Sequence, residues 1–476
     1  MSGNNNMRLD RKFIESVISD VQIQGAETIF EGDWISDSRL VTPRSIFVAL
    51  SGARVDGHSF VGDAFEKGAA AVMIAQDQKD TVMARIPGAV TVIIVKSTRE
   101  ALIQLATAWR AQFNIPIVGV TGSVGKTTTK ELIASILRLH GMSCLASVGN
   151  FNTEIGLAMT LLRLRSEHQI AVVEMGISRR GEMARLAHMV RPTTAVITAL
   201  GHSHMEGLGS IADIAAEKRA IFSFLQSDGI GIINGDQPLL GGVAYAGGVA
   251  YTHPVIKFGC KMINHVQARQ IQVQSKGLTF VLKLYNDRRR VHLNTENEAR
   301  VYNVLAAAAV AHFFGVPFDT IVQGIEQGVE VPGRFEKRMI NTSGSWVIDD
   351  SYNANPESMK DALKAFEQIE GNGRKIAVLG DMLELGVDSP FWHRQLGRFL
   401  RKAPSLSHVI LVGEQMKWAE KTIPYGLSCE WHANWQAASD ALKQRIKMSD
   451  SGACILVKAS RGMALNNLVS DLMLPQ

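Results

Sequence analysis

A short stretch near residue 120 places the strongest constraint on how this chain can fold. Residues 115–130 form an apolar, β-branched segment, a turn with two glycines and the start of an amphipathic segment, which predicts a strand, a loop and a helix. The turn contains Gly122, Gly125, Lys126 and Thr127. In phosphate-binding loops the glycines let backbone N–H groups surround phosphate oxygens, while the lysine reaches the terminal phosphates and the hydroxyl can ligate Mg²⁺. The sequence therefore predicts nucleotide binding and leaves the reaction open.

The loop is shorter than the common form of this motif. Two residues separate Gly122 from Gly125, fewer than in the usual pattern, and Thr121 stands where longer loops begin. The following helix keeps its apolar period until Gly141, which is a suitable C-terminal stop for a helix.

Length and composition limit the class of protein. At 476 residues and about 150 residues per domain, the chain should contain roughly three domains. With 46% hydrophobic and 20% charged residues, a soluble globular protein is expected. The net charge of +5 is spread along the chain, which suits an anionic substrate and speaks against nucleic-acid binding.

Residues 1–10 lack the apolar core of a signal peptide and the apolar run 304–314 is too short to span a bilayer, so we predict a cytoplasmic protein without stable membrane insertion.

The cysteines do not indicate a zinc site or a disulfide framework. They lie far apart and without a Cys-x-x-Cys pair, so reduced thiols are expected. They are Cys144, Cys260, Cys429 and Cys454.

The predicted fold class is α/β with three domains. Residues 1–112 read as a small α/β domain. Residues 113–330 read as a central P-loop domain with a mostly parallel sheet, an antiparallel excursion at 250–295 and a closing helix at 298–314. Residues 331–476 restart the alternation and read as a Rossmann-like α/β domain. In such sheets ligands collect at the carboxyl ends of the strands.

Two polar loops flank one predicted strand of the first domain. Ser38 and Arg39 precede the strand at 45–50, and Asp56, Gly57 and His58 follow it. Together they could bind a polar anionic ligand. Taken alone, they are more simply explained as turn residues with surface charges.

Polar residues also follow the predicted strands of the central domain. Glu174 ends an apolar run and could hold the Mg²⁺ that accompanies ATP, although a glutamate at a strand end is commonly just solvated. His202 and His204 follow the next strand and, two residues apart, could both face a nucleotide. A histidine pair of this kind is more often on the surface.

Lys218 lies on the apolar stripe of a predicted helix. The helix opens with a Ser210–Asp213 capping box and runs to Leu225, and Lys218 falls four residues after Ile214. One interpretation is a snorkelling lysine at the edge of the stripe. The other is a desolvated amine near the phosphates, with a lowered pKa and reactive towards CO₂.

The order of these motifs resembles that of the Mur ligases, the ATP-dependent amide-forming enzymes of bacterial cell-wall synthesis. The similarity runs from about residue 33 to the end of the chain. Residues 121–129 resemble the family's phosphate loop, Glu174-Met175-Gly176 its magnesium glutamate and His204-Met205-Glu206-Gly207 its metal-binding histidine. Lys218 falls at the lysine that the family carbamylates to bind a second Mg²⁺.

The resemblance implies roles for a larger set of residues. It implies catalytic roles for Lys126, His204, Lys218, Arg334 and Asp350. It implies ATP binding by Thr121, Gly122, Ser123, Gly125, Lys126, Thr127, Thr128, Asn303, Arg334 and Asp350. It implies two Mg²⁺ sites built from Thr127, Glu174, His204 and a carbamylated Lys218.

The segment Asp349–Pro356 resembles the family member that adds D-alanyl-D-alanine to UDP-N-acetylmuramoyl-tripeptide. The segment Leu379–Gly386 points to the same member. The resemblance makes the first domain the UDP-sugar site, which reverses the simpler explanation of its two polar loops. The implied substrate-binding residues are Ser38, Arg39, Asp56, Gly57 and His58 for the UDP-sugar, Asn152, Thr153 and Glu154 for the acceptor, and Tyr352, Asn353 and Asn355 in the last domain.

Three positions depart from the family pattern. Ala299-Arg300 stands where the family usually has His-Asn ahead of its adenine-contacting asparagine, here Asn303. Arg219-Ala220 follows the reactive lysine where Gly-Glu is frequent, and Thr153 stands where Asn is common.

The implied reaction is phosphorylation of a carboxylate by ATP, followed by attack of an amine on the acyl phosphate. Because Arg334 and Asp350 come from the last domain, the site must close by domain motion. We expect a monomer that acts on small molecules. The alternatives are a Mur-type ligase with another amino-acid donor and a non-catalytic, nucleotide-gated binding module.

Overall fold

The computed structural model describes residues 8–52, 55–86, 91–241, 253–274, 277–340, 344–370, 373–447 and 452–474. These residues form three β-sheets in chain order, each flanked by helices. The predicted α/β class is confirmed. The three sheets agree with three domains, while the boundaries near residues 112 and 330 stay predictions.

The first region has a five-stranded sheet in the order β1-β5-β4-β3-β2, parallel except for β1. Its strands are β1 (Gln22–Gln24), β2 (Trp34–Ile35), β3 (Ile46–Val48), β4 (Ala71–Ala75) and β5 (Thr91–Val95). Its helices are α1 (Arg11–Val17), α2 (Val61–Glu66), α3 (Lys79–Met83) and α4 (Thr98–Ala111). The buried Trp109 of α4 donates its indole N–H to the Leu164 carbonyl at 3.1 Å, so α4 packs this region against the next.

The central region has a nine-stranded sheet in the order β14-β13-β12-β11-β10-β9-β6-β8-β7. Its strands are β6 (Ile117–Thr121), β7 (Cys144–Ala146), β8 (Ile170–Glu174), β9 (Thr194–Ile197), β10 (Ile230–Asn234), β11 (Val255–Gly259), β12 (Val266–Gln274), β13 (Gly277–Leu284) and β14 (Asp287–Leu293). Its helices are α5 (Lys126–Leu139), α6 (Glu154–Leu161), α7 (Glu182–Val190), α8 (Met205–Leu208), α9 (Ile211–Arg219), α10 (Pro238–Gly241), α11 (Ala299–Phe313) and α12 (Phe318–Gln327).

Two details of the central region differ from prediction. The antiparallel excursion is correct for β12, β13 and β14, but β11 runs parallel to β10, because α11 covers this part of the sheet as parallel strands require. Residues 250–252 and 275–276 of the same predicted stretch lie outside the described residues. The α-helix that opens with the Ser210–Asp213 capping box ends at Arg219 and continues as a 3₁₀ turn, Ala220–Phe224.

The third region has a six-stranded sheet in the order β15-β16-β20-β17-β18-β19, parallel except for β15. Its strands are β15 (Glu336–Met339), β16 (Trp346–Asp350), β17 (Arg374–Gly380), β18 (Leu406–Val412), β19 (Ser428–His432) and β20 (Ala453–Lys458). Its helices are α13 (Pro356–Gln368), α14 (Ser389–Phe399), α15 (Met416–Glu420), α16 (Trp435–Lys447) and α17 (Leu465–Met473). Buried apolar clusters lie on both faces of the sheet, as in a Rossmann-like layer.

The carboxyl ends of the parallel strands position the polar residues that the sequence singled out. Glu174 ends β8, the phosphate loop follows β6, and Asp350 ends β16. Lys458 ends the neighbouring strand β20. Among the described residues, no helix is long and apolar enough to cross a membrane.

Candidate active site

The phosphate loop connects β6 to α5 and is shaped by close packing. Gly125 has φ 87°, and a Cβ there would lie 2.2 Å from Asn303 Oδ1. A Cβ on Gly122 would lie 2.0 Å from Thr198 Oγ1. Since real Cβ atoms do not approach so closely, both positions require glycine. Asn303 therefore packs directly against the loop.

Lys126 is curled over the loop. Its Nζ donates to the Gly122 carbonyl at 2.9 Å. Burial and the positive charge of Arg334 lower the pKa of Lys126, and the nearby carboxylate of Glu174 opposes this shift. Lys126 thus stands where cations from two regions converge and where an anion would be stabilised.

Glu174 and Thr127 form an oxygen-rich pair beside the loop. Thr127 Oγ1 donates to Glu174 Oε2 at 2.8 Å and Asn152 Nδ2 donates to Glu174 Oε1 at 2.7 Å. Glu174 is 1% exposed, so the interpretation of a solvated strand-end glutamate is wrong. A carboxylate and a hydroxyl in contact are the donor types that Mg²⁺ prefers, and these two residues fit that ion.

Lys218 is buried rather than snorkelling. It is 1% exposed, and burial together with the charge of Lys126 holds the pKa of its amine well below the usual range. Within the described ranges, no hydrogen bond or ion pair to its Nζ is observed. A snorkelling lysine keeps its ammonium group in water, so that interpretation is wrong for Lys218.

His202 and His204 contact carboxylates of the third region. His202 Nδ1 lies 2.5 Å from Glu357 Oε1, and its backbone N–H donates to Glu357 Oε2 at 2.9 Å. His204 Nδ1 pairs with Glu384 Oε2. Both histidines therefore lie between two regions, while the described contacts do not link His204 to Lys218.

A hydrogen bond links Asp350, at the end of β16, to the backbone next to Arg334. Asp350 Oδ1 accepts from the Phe335 N–H at 3.1 Å, and its Oδ2 accepts from Lys458 Nζ at 2.6 Å. The Arg334 guanidinium lies over the Tyr352 ring, 4.0 Å from its centroid. Asp350 thus fixes the backbone beside Arg334, and Lys458 at the end of β20 pairs with Asp350.

Arg300, the departure from the family pattern, joins two parts of the site. Its Nη2 donates to the Arg334 carbonyl at 2.6 Å and its Nη1 lies 3.4 Å from Thr128 Oγ1. Burial lowers the pKa of Arg300. The position therefore connects the start of α5 to the turn that carries Arg334.

Two cavities meet at the phosphate loop. The larger, of about 640 Å³, is lined by all three regions and includes Glu174 and His204. The smaller, of about 90 Å³, is lined by residues 123–128, Asn303 and Asp350 among others. Lys126, Arg334 and Asn353 line both cavities. A group that passed from one cavity to the other would therefore meet the cations of Lys126 and Arg334.

The polar loops of the first region lie apart from this cleft. Arg39 pairs with Asp37 at 2.7 Å. Asp56 Oδ1 accepts from the His58 backbone N–H at 3.0 Å, and His58 Nε2 accepts from the Ala75 N–H at 3.0 Å. The buried His58 therefore joins its loop to the end of β4.

Ser38 and Gly57 are also held within the first region. The Ser38 carbonyl accepts from Lys67 Nζ at 2.9 Å, and a Cβ on Gly57 would lie 2.7 Å from the Leu50 nitrogen. Among the described residues, neither of the two loops lines the three-region cleft.

The residues predicted to bind the acceptor line the cleft. Thr153 caps α6, accepting from the Gly156 N–H at 3.4 Å. Glu154 pairs with Arg99 at 2.7 Å and with Arg185 at 3.5 Å. The sequence did not reveal these two arginines, because each comes from a different helix and no local pattern marks their meeting.

In the third region, Asn355 caps α13 in a capping box with Ser358. Asn353 Oδ1 accepts from the Ala354 N–H at 2.9 Å. Tyr352 and Asn353 line the cleft, whereas Asn355 is 6% exposed and is used within its own helix.

Family models match three successive parts of the chain. Residues 36–110 match "Mur ligase family, catalytic domain", residues 120–311 match "Mur ligase middle domain" and residues 333–461 match "Mur ligase, glutamate ligase domain".

Two relatives that match nearly the whole length of the chain have the same name. The chain is 35% identical over 453 residues to UDP-N-acetylmuramoyl-tripeptide--D-alanyl-D-alanine ligase of Bacillus subtilis strain 168, covering 94% of each protein. It is 34% identical to the Escherichia coli K12 protein of the same name, covering 95% of each.

Two solved structures named MurF are also similar to this chain over most of its length. MurF from Acinetobacter baumannii has a TM-score of 0.78 at 31% identity, covering 92% of this chain and 93% of that one. MurF from Thermotoga maritima, solved in complex with ADP, has a TM-score of 0.75 at 27% identity, covering 93% and 97%.

Proposed function

The chain belongs to the Mur ligase family, and we propose that it joins D-alanyl-D-alanine to UDP-N-acetylmuramoyl-tripeptide at the expense of ATP. The products are the UDP-linked pentapeptide precursor of peptidoglycan, ADP and phosphate. Relatives with this name match the chain along its whole length. The observation in the structure that carries the proposal is that Lys126 and Arg334 line both cavities.

The reaction proceeds in two steps that both concentrate negative charge. A carboxylate oxygen of the tripeptide attacks the γ-phosphorus of ATP, and ADP leaves. The amine of D-alanyl-D-alanine then attacks the acyl carbon, loses a proton and expels phosphate. Positioning and charge neutralisation dominate catalysis of phosphoryl transfer. Lys126 from the central region and Arg334 from the third region supply that neutralisation.

Thr127 and Glu174 are proposed to hold one Mg²⁺, and His204 with Lys218 the second. Bound Mg²⁺ would neutralise phosphate charge and orient the transferred group. The buried amine of Lys218 can attack CO₂ and lose a proton, and the oxygens of the resulting carbamate would be suitable ligands for Mg²⁺. The negative charge formed in this way would lie near the cation of Lys126.

The remaining binding assignments are those that the resemblance implies. The nucleotide would occupy the small cavity beside Thr121, Ser123 and Asn303, and the UDP-sugar would bind the first region near Ser38 and Asp56. We place the reaction in the cytoplasm. We expect a monomer, because residues from three regions of one chain line the cleft.

The decisive experiment measures phosphate release from ATP with each acceptor present singly and with both together. We expect release only when UDP-N-acetylmuramoyl-tripeptide and D-alanyl-D-alanine are both supplied. Lys126→Ala should abolish release while the circular dichroism spectrum stays unchanged, because the proposed role of the lysine is to bind phosphate, and its observed hydrogen bond is to the loop carbonyl of Gly122.

The same assay separates the alternatives. A ligase with another donor would release phosphate with a different amino acid or dipeptide. A nucleotide-gated binding module would bind ATP and release no phosphate under any combination. If Lys126→Ala turned over at a near-normal rate, the proposal that this loop binds the phosphates of ATP would be wrong.

A further inference from the structure

Four arginines line the larger cavity, and three of them already have a partner or a proposed role. Arg99 and Arg185 pair with Glu154, and Arg334 faces both cavities beside Lys126. The fourth, Arg461, is exposed, and no carboxylate among the described residues pairs with it. The positive charge of Arg461 is therefore available to bind an anionic group of a ligand in the cleft.

Arg461 is held in place by an aromatic side chain. Its guanidinium lies 5.2 Å from the centroid of the Tyr352 ring, and its Nη1 is 3.2 Å from the Tyr352 hydroxyl. Arg334 lies over the same ring at 4.0 Å. Stacking on Tyr352 fixes the direction of the guanidinium without neutralising it.

The backbone around Arg461 is tied to a neighbouring loop. The buried Ser460 donates its N–H to the Asp381 carbonyl at 3.1 Å, and its Oγ accepts from the Leu383 N–H at 2.8 Å. The next residue of that loop, Glu384, lines the same cavity and contacts His204. One wall of the cleft thus presents a cation and an anion from two loops that are joined by hydrogen bonds.

We propose that Arg461 binds the terminal carboxylate of the incoming dipeptide, an inference that rests on the proposed function. The dipeptide carries its amine at one end and a carboxylate at the other. The amine must approach the acyl carbon near Lys126 and Arg334, so the carboxylate requires a different cation. The planar fork of an arginine matches a carboxylate with two hydrogen bonds. The negative charge of Glu384 disfavours the reversed orientation.

The test compares two dipeptides that differ only in terminal charge. The values of kcat/KM are measured with D-alanyl-D-alanine and with D-alanyl-D-alaninamide for the wild type, Arg461→Gln and Arg461→Lys. Arg401→Gln is the matched control, since Arg401 is an exposed arginine in the turn Leu400–Lys402 of the same region. If the amide turns over too slowly, its inhibition constant against D-alanyl-D-alanine gives the same comparison.

We expect Arg461→Gln to lower kcat/KM for D-alanyl-D-alanine about 10- to 100-fold, mainly through KM, because a charge-assisted bidentate contact is lost. The value for the amide should not change, and the wild type should discriminate against the amide by a similar factor. Arg461→Lys should show a smaller loss, and Arg401→Gln none.

Two results would overturn the proposal. One is an equal loss with both dipeptides, which would mean that Arg461 only supports Tyr352. The other is a wild type that uses the amide as well as the acid. Either is distinguishable from failure of the proposed function, which would show as no phosphate release by the wild type with D-alanyl-D-alanine.

Discussion

Burying a charged side chain costs free energy unless the charge is paired or the group changes its protonation or chemical state. Lys218 is the clearest example, as its amine is buried and its pKa is lowered by burial and by Lys126. A buried ammonium without a partner is unfavourable. A carbamate in its place would be anionic and would pair with a cation or a metal ion.

We predict that Lys218→Ala loses at least about 100-fold in kcat, as expected when a metal ligand is removed. Short-chain carboxylic acids should restore part of the activity, because they can supply the missing oxygen ligand. Growth on ¹³C-labelled bicarbonate should give a carbamate carbon resonance that Lys218→Ala lacks. As a control, Lys126→Ala should not be rescued by the same acids.

The residues of the phosphate site were largely predictable, whereas the contacts between regions were not. Gly125, Lys126 and Glu174 follow strands in a local pattern, so their place at a sheet edge could be predicted. The pairs of Arg300 with the Arg334 carbonyl and of His202 with Glu357 join residues far apart in sequence. Hydrophobic periodicity does not predict contacts between residues so far apart in sequence. The family resemblance identified Arg300 only as a position that differs from the family pattern.

Some polar residues that were predicted to bind a ligand make hydrogen bonds within their own helix or loop. Asn355 was predicted to bind substrate, but its side chain accepts from the Ser358 N–H at 2.8 Å and so caps α13. His58 is similar, because both ring nitrogens contact atoms of its own region. A helix cap and a binding residue share the same amino-acid preferences, so spacing alone does not distinguish them.

We predict that Asn355→Ala destabilises the start of α13 by about 1 kcal/mol, the usual cost of losing an N-cap. Asn355→Ser should keep the cap, since serine is an equally good N-cap residue. Amide hydrogen exchange of residues 356–360 would measure the difference between the two variants. If Asn355→Ser keeps its protection and still loses ligase activity, Asn355 also contacts the substrate.

At the scale of the whole molecule, the central and third regions meet through histidine–carboxylate contacts. His202 pairs with Glu357 and packs against Trp392, with ring centroids 4.3 Å apart and the ring planes inclined at 46°. A Cβ on Gly201 would lie 2.7 Å from Glu357 Oε2. The two regions are therefore closely fitted at this point, and the contact favours the arrangement in which the cleft is complete.

We predict that Glu357→Ala weakens this arrangement by about tenfold in its equilibrium constant, the value expected for a charge-assisted hydrogen bond. Small-angle X-ray scattering of the ligand-free protein should then give a larger radius of gyration than the wild type. Glu414→Ala is the control, because Glu414 pairs with Lys417 inside the third region. Identical scattering by Glu357→Ala and the wild type would contradict a role in closure.

The contact between Asn152 and Glu174 has a thermodynamic consequence. The Glu174 carboxylate is satisfied by Thr127 and Asn152, so an ion that takes its oxygens must rearrange these donors. Asn152 belongs to the loop that leads into α6 and lines the cleft. In the proposed function, in which Glu174 holds the ion and Asn152 faces the acceptor, ion and acceptor would share one coupling free energy. By reciprocity, the factor by which the ion changes acceptor affinity equals the factor by which the acceptor changes ion affinity.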